Sequence, residues 1–464
     1  MTRAHASRAG APRFRPVSLD ALNFLLADVR GALGPYLNVF LVTQQGWSQS
    51  SVGLVTTIGG LIGLAAQTPA GAAIDLTRAK RGIVVLALAV LAFGAVVIFA
   101  APSFWPVLAA STLIAVVGDV FGPAVAALTL GLFMRQQLAN RMGRNATLDH
   151  AGNVAIAALA GAVGWIFGQR SVFLLVPLFA ALAAVAVLSI PAHAIDHRRA
   201  RGAEPDPATQ RGSDWRTLAE CRALLVFTGC AMLFHLANAP LLPLVGQKLA
   251  LANRKAATVM MSCCIIAAQL VMLVIAMFAG RSADRWGRKP VLLAGFGILP
   301  IRAVLYTLSD DSAWLIAVQL LDGIGAGIFG VLTPLVVADL MHGTGRYNLA
   351  LGVVATVQGV GASLSGLAAG LIVDNFGYGP AFLTAGGVAA LALVVLLLAM
   401  PETSRSTLPQ RHGEPERAAP ARRALHPDGS AHLLDQTLAD RQAEARAAVR
   451  AAGRRRLGEW FEQA

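Results

Sequence analysis

The sequence predicts an all-α integral membrane protein of twelve transmembrane helices, and three observations carry that prediction. Hydrophobic residues make up 56% of the 464, charged ones 14%, and mean hydropathy is +0.62, whereas soluble chains carry about 25% charge. Twelve apolar runs are long enough to span a bilayer, which takes about 20 residues. They lie near 19–43, 52–74, 83–101, 105–134, 146–168, 172–190, 222–245, 256–279, 290–309, 312–341, 348–373 and 380–400. Polar features inside and between these runs recur half a chain apart, as in a duplicated protein with halves 18–190 and 218–401.

Taken in order, residues 1–17 form a basic arm (Arg3, Arg8, Arg13, Arg15) before an apolar stretch too long for a signal-peptide core. No convincing cleavage site follows, so the arm reads as a retained cytoplasmic segment. The net charge of +13 lies between apolar runs rather than on one module, which favours membrane orientation over nucleic-acid binding. Starting inside, one set of loops carries Arg78, Lys80, Arg81, then Arg135, Arg141, Arg144, then six Arg between 191 and 222, then the 281–289 cluster. The other set carries Arg170, Lys248, Arg254 and Lys255. Both termini are therefore expected in the cytoplasm. Residues 191–217 are polar and Pro-containing, as a linker between halves should be. The tail 402–464 is rich in Arg, Ala and acids, and reads as a solvated cytoplasmic extension or as a partner-binding helix. The four cysteines (Cys221, Cys230, Cys263, Cys264) show no zinc-type spacing, and no metal or cofactor is expected.

One stretch between the eighth and ninth runs stands apart: Gly280-Arg281-Ser282-Ala283-Asp284-Arg285-Trp286-Gly287-Arg288-Lys289. Gly287 suits the positive φ of a tight turn, and Gly280 suits close approach of a neighbouring helix. Asp284 is either a gate-forming ion pair or a solvated loop charge. A degraded copy begins 209 residues earlier at Gly71 and keeps Asp75, with Arg78 where the turn glycine belongs. The fourth run reads Gly118-Asp119-Val120-Phe121-Gly122-Pro123 and the tenth Asp322-Gly323-Ile324-Gly325. Glycine-rich fifth and eleventh runs follow in each half (Gly152, Gly161, Gly164; Gly359, Gly361, Gly366, Gly370), suited to close, sliding helix contacts.

An ionisable group inside a span costs a few kcal/mol on insertion scales, so each is a functional candidate. The candidates are Asp28 and Arg30 in span one, Asp119 in span four, His235 in span seven, Arg302 in span nine and Asp322 in span ten. The alternative for each is an interhelical pair that fixes packing. At 100° per residue, Asn23, Arg30 and Asn38 share one face of span one while Asp28 points away. His235 and Asn238 share a face of span seven, and Gln319 and Asp322 a face of span ten. A carboxylic acid in a half-dry cavity can hold a proton at physiological pH, and His235 is a second candidate. Arg302 is expected to pair structurally with Asp322 or a backbone carbonyl.

The Gly-x-x-x-Asp-Arg-x-Gly-Arg-Lys pattern at 280–289 resembles the loop signature of the major facilitator superfamily, and the resemblance covers about residues 18–401. It implies two pseudo-symmetric six-helix bundles, alternating access, and a central cavity lined by the first, fourth, seventh and tenth helices. It also implies a cytoplasmic latch formed by Gly71, Asp75, Gly280, Asp284, Arg285, Gly287 and Arg288. The Gly-Pro pair frequent in span five of drug exporters is missing here. The Pro401-Glu402-Thr403 end is a weak likeness to sugar porters.

The resulting expectation is a monomeric, proton-coupled exporter of a drug or metabolite in a bacterial inner membrane, not an enzyme. Its substrate-binding set is Asn23, Arg30, Asn38, Asp119, His235, Asn238, Gln319 and Asp322, with Asp28, Asp119, His235 and Asp322 for protons. Two alternatives stand beside it: an importer of an organic anion clamped by Arg30, and a transporter-fold sensor signalling through the tail.

Overall fold

The computed structural model describes residues 17–27, 33–77, 79–196, 215–342, 344 and 346–403. Asp28, Arg30, Arg78, most of the linker and the tail beyond Thr403 lie outside the described residues. Within them all regular structure is helical.

The first half contains α1 (Val17–Leu26), α2 (Leu33–Thr43), α3 (Gln49–Leu76), α4 (Lys80–Ala100), α5 (Phe104–Leu132), α6 (Arg135–Phe167) and, after a 3-10 turn, α7 (Leu175–Leu188). The second half contains α8 (Trp215–Glu220), α9 (Arg222–Asn238), α10 (Leu241–Ala252), α11 (Ala257–Trp286), α12 (Arg288–Leu308), α13 (Ser312–Leu340), α14 (Tyr347–Phe376) and α15 (Tyr378–Ala399). Among the described residues eleven stretches are long and apolar enough to cross a membrane, α9 and α10 counting together. The remaining predicted span is α1 with α2. Its supposed single polar face cannot be followed from Asn23 to Asn38, because residues 28–32 are not described.

The duplication is visible in the packing. In the first half α3 lies on α5, α1 on α6 and α7, and α4 on α5 and α7. Their repeat mates do the same in the second half: α11 on α13, α9 on α14 and α15, and α12 on α13 and α15. Large aromatics fill each bundle. Phe40 meets Phe173 edge-on at 5.2 Å in the first, and Tyr306 meets Phe382 at 5.2 Å in the second. Side chains such as Phe93, Trp105, Phe167 and Leu398 point outward, as a lipid-facing surface requires.

Two expectations about boundaries change. The stretch 280–289 is not a loop: α11 continues to Trp286, α12 starts at Arg288, and Gly287 alone makes the turn at φ +96°. Its positive φ lets one residue reverse the chain. Gly280, by contrast, sits where an added Cβ would meet only Val331, at 3.8 Å, so no close helix approach depends on it. Likewise Arg141 and Arg144, read from the sequence as charges of a loop between spans, lie inside α6, because Asp20 draws both (2.7 Å each) onto α1 and anchors this first part of the helix. The single-glycine turn recurs at Gly168 (φ +88°) and Gly377 (φ +86°), again 209 residues apart. A Gly287→Ala variant combines a left-handed Cβ with a clash against the Glu402 carboxylate. It is expected to lose about 1–3 kcal/mol, read as a lower melting temperature in detergent.

The halves meet along two seams. α3 packs on α14, and α6 on α11, with α2 on α10 between them. Glycines make these seams close. A side chain at Gly53 would strike the Gly366 backbone, and one at Gly370 the Gln49 backbone. Gly161 and Gly164 face Ser262 and Thr258. Direct hydrogen bonds cross both seams: Thr57 Oγ1 to the Ser363 carbonyl (2.6 Å), and Tyr36 OH with Ser262 Oγ (2.7 Å). At the far end the Asp374 carboxylate accepts from the backbone N–H of Gln49 (2.9 Å) and Ser50 (2.7 Å), which caps α3 from the opposite half. These contacts run from mid-bundle to the end away from Val17 and Thr403.

Candidate functional site

Several polar residues of the spans line cavities inside the protein, where an unpaired polar group is costly. Asp119 of α5 lines a 610 Å³ cavity with Gly60, Gly63 and Gln67 of α3 and Gly359 and Ser363 of α14. Since α3 and α14 belong to different halves, this cavity lies between them. The local sequence explains the opening. Gly118 and Gly122 flank Asp119 without bulk, and Pro123 removes the backbone donor that the residue-119 carbonyl would receive in a regular helix.

An adjoining cavity of 270 Å³ shares Gly122 and is lined by Asn23 of α1, Thr129 of α5, and Asn145 and Asp149 of α6. A side-chain relay runs along its wall. Asn23 donates to Asn145 (3.2 Å), whose amide donates to Thr129 (3.0 Å). One residue beyond Asp149, His150 Nδ1 lies 2.8 Å from Gln269 Oε1 of α11, a bond across the halves. Asp149 and His150 escaped the sequence reading, although both fall within the predicted fifth span and meet the same criterion as Asp119.

In the second half the structure brings Asn238, Gln319 and Asp322 together around Arg302. Arg302 is 1% exposed, pairs with Asp322, and donates to Asn238 Oδ1 (2.9 Å). Gln319, fully buried, donates to Asp322 Oδ2 (3.0 Å) and accepts from Tyr306 OH. Each oxygen of Asp322 therefore has a partner from its own bundle. His235 stands elsewhere, against Phe234 and Phe329 (ring centroids 5.6 and 5.0 Å), with Nδ1–H donating to the Ala231 carbonyl (3.0 Å). Asn38 lines a third cavity, of 270 Å³, nearer the far end. Among the described residues no group of three His, Cys, Asp or Glu could hold a metal ion.

At the near end the loop-signature residues pair within their own half. Arg288 binds Asp284 (2.6 Å) and Asp339 of α13 (3.1 Å), and Arg285 is exposed. Glu402 accepts from the backbone N–H of Arg288 (2.8 Å) and Lys289 (3.0 Å), so it belongs to the bundle rather than the tail. Gly71 and Asp75 lie in the last turns of α3, whose side chains are not described there.

Comparison with known proteins adds four findings. The sequence profile of the Major Facilitator Superfamily matches residues 19–274 and 224–441. An uncharacterized MFS-type transporter of Mycobacterium tuberculosis is 49% identical over 394 residues, 83% of this chain and 93% of that protein. A putative sugar efflux transporter of Deinococcus radiodurans is 25% identical over 385 residues, 81% of this chain and 95% of that protein. In fold, the chain is similar to a mutant of the nucleoside transporter NupG with a TM-score of 0.70 at 15% identity, covering 83% of this chain and 99% of the other.

Proposed function

The chain belongs to the major facilitator superfamily, and from that premise we propose that it exports a small organic solute in exchange for protons. The observation that carries this reading is the placement of Asp119 in the 610 Å³ cavity between the halves. Asp149 adds a second carboxyl in the adjoining cavity. Carboxyls inside a membrane protein that face a cavity are the usual parts of proton relays. A cavity walled by both halves changes exposure when they rock, so an acid on its wall can load a proton on one side and release it on the other. With the basic ends taken as cytoplasmic, the closed far seam makes this conformation inward-facing, ready to collect solute and give up protons. The membrane is then a bacterial inner membrane and the working unit a monomer. The efflux relative is in keeping with this direction.

The test uses inside-out vesicles holding an inside-acid pH gradient and a panel of lipophilic cations, neutral drugs and organic anions. At least one compound is expected to dissipate the gradient, and Asp119→Asn is expected to reduce that response to the level of vesicles lacking the protein. Failure of every compound, together with Arg30-dependent binding of labelled organic anions, would replace this reading by anion import.

A further inference from the structure

The cavity around Asn38 lies inside the closed far seam, where α2 and α3 of one half face α10 and α14 of the other. Its polar lining consists of Asn38, Gln49, Thr56, Gln247 and Ser365, and none of its lining residues is charged. Asn38 is 8% exposed and Gln247 2%, yet among the described residues neither Asn38 Oδ1 nor Gln247 Oε1 has a hydrogen-bond partner. A buried, unsatisfied acceptor costs about 1–3 kcal/mol, so two in one cavity need an explanation. Apart from the amide N–H groups of these two residues, the side-chain donors nearby are already committed. Thr56 Oγ1 donates to the Gly53 carbonyl (3.0 Å), Ser365 Oγ to the Ala362 carbonyl (2.6 Å), and Gln49 Nε2 to Tyr378 OH (2.9 Å). Both hydroxyls therefore keep only lone pairs to offer. Even the neighbouring Asp374 carboxylate is engaged with backbone N–H groups.

The lining thus offers two amides, each with an unused acceptor and N–H donors of its own, and calls for a ligand that can both donate and accept. We propose that this cavity is a second solute station for an uncharged, hydroxyl-bearing molecule of the polyol or sugar class, with Asn38 and Gln247 as its recognition groups. The volume of 270 Å³ lies just below the about 300 Å³ at which ligand pockets begin, so the solute is small. An alkali cation also seeks oxygens, but it would leave most of this volume empty and bring charge to a lining without a carboxylate. The station sits between the central cavity and the far surface, on the path of a solute crossing in either direction. It goes beyond the proton-exchange reading and does not depend on it.

The test is solute protection of a single thiol. Full-length protein in nanodiscs, with Cys221, Cys230, Cys263 and Cys264 replaced by serine, carries Ala239→Cys in the apolar wall. Alkylation by N-ethylmaleimide is timed with glycerol, xylitol, glucose or sodium chloride. Xylitol or glucose, at ~10 times its dissociation constant, is expected to slow alkylation roughly tenfold. Adding Asn38→Leu and Gln247→Leu is expected to abolish that protection, with an unchanged size-exclusion profile as the folding control. A parent protein that no polyol or sugar protects overturns the proposal and leaves the cavity to water. Protection by sodium chloride alone, or protection that survives the double substitution, overturns it too. No gradient is involved, so failure here and failure of proton exchange are read separately.

Discussion

Replacing Asp374 by alanine is expected to open the far seam. Its carboxylate, at the end of α14, holds the N–H groups of Gln49 and Ser50 at the start of α3. It therefore serves as the N-cap of a helix in the other half. Hydrogen bonds to a charged group contribute about 1.5–3 kcal/mol each, and capping substitutions typically cost about 1 kcal/mol. Since water can replace part of the lost bonding at this exposed end, about 2 kcal/mol is a fair expectation for the pair. At 1.4 kcal/mol per decade, that raises the ratio of far-open to far-closed molecules roughly 30-fold. Asp374→Asn, which keeps one acceptor, should show a smaller rise. The measurement is the rate at which a membrane-impermeant maleimide reaches Ala239→Cys from the far side. An unchanged rate in Asp374→Ala would mean that the glycine seams alone hold this end shut.

Arg302→Leu is expected to destabilise the second bundle by about 3–5 kcal/mol, because it strands a carboxylate that lost its buried cation. Asp322→Leu should cost a similar amount by stranding Arg302, whose side chain is almost fully enclosed. The double variant Arg302→Met with Asp322→Leu is expected to recover most of the loss, since a buried pair exchanged for apolar volume is often neutral. Asn238 and Gln319 would each lose a partner, which holds the recovery below completeness. Thermal melts in detergent read the stability, and vesicle proton exchange reads the proposed function. A double variant that folds and still exchanges protons makes Asp322 a packing residue and leaves Asp119 as the proton carrier. One that folds and no longer exchanges them returns Asp322 to the transport path.

Much of this was legible in the chain itself. Apolar length located eleven of the spans, the repeat reappears as matched packing in the two halves, and the rarity of charge in spans singled out Asp119 for attention and led to the pairing of Arg302 with Asp322. Other features were hidden for physical reasons. In a membrane helix both the lipid face and the packed face are apolar, so periodicity does not say that Gly366 meets Gly53 or that Gly164 meets Thr258. Nor does the local pattern show that residues 141–145 belong to α6 rather than to the loop they were read as. That stretch is helical because Arg141 and Arg144 are tied to Asp20, a contact set by tertiary packing. The cap from Asp374 to α3 joins residues more than 300 positions apart, and no local pattern signals it.

The glycine seams also bear on how turnover responds to heat. Where backbone lies against backbone, few side chains must be frozen when the halves close, and glycine and alanine lose no rotamer freedom on burial. Closing such a surface therefore draws little on side-chain entropy. The barrier then reflects chiefly the polar links that must break and re-form: Asp374 with α3, Thr57 with Ser363, Tyr36 with Ser262, and His150 with Gln269. A cycle limited in that way is enthalpic, and its rate should rise steeply on warming and slow sharply in the cold.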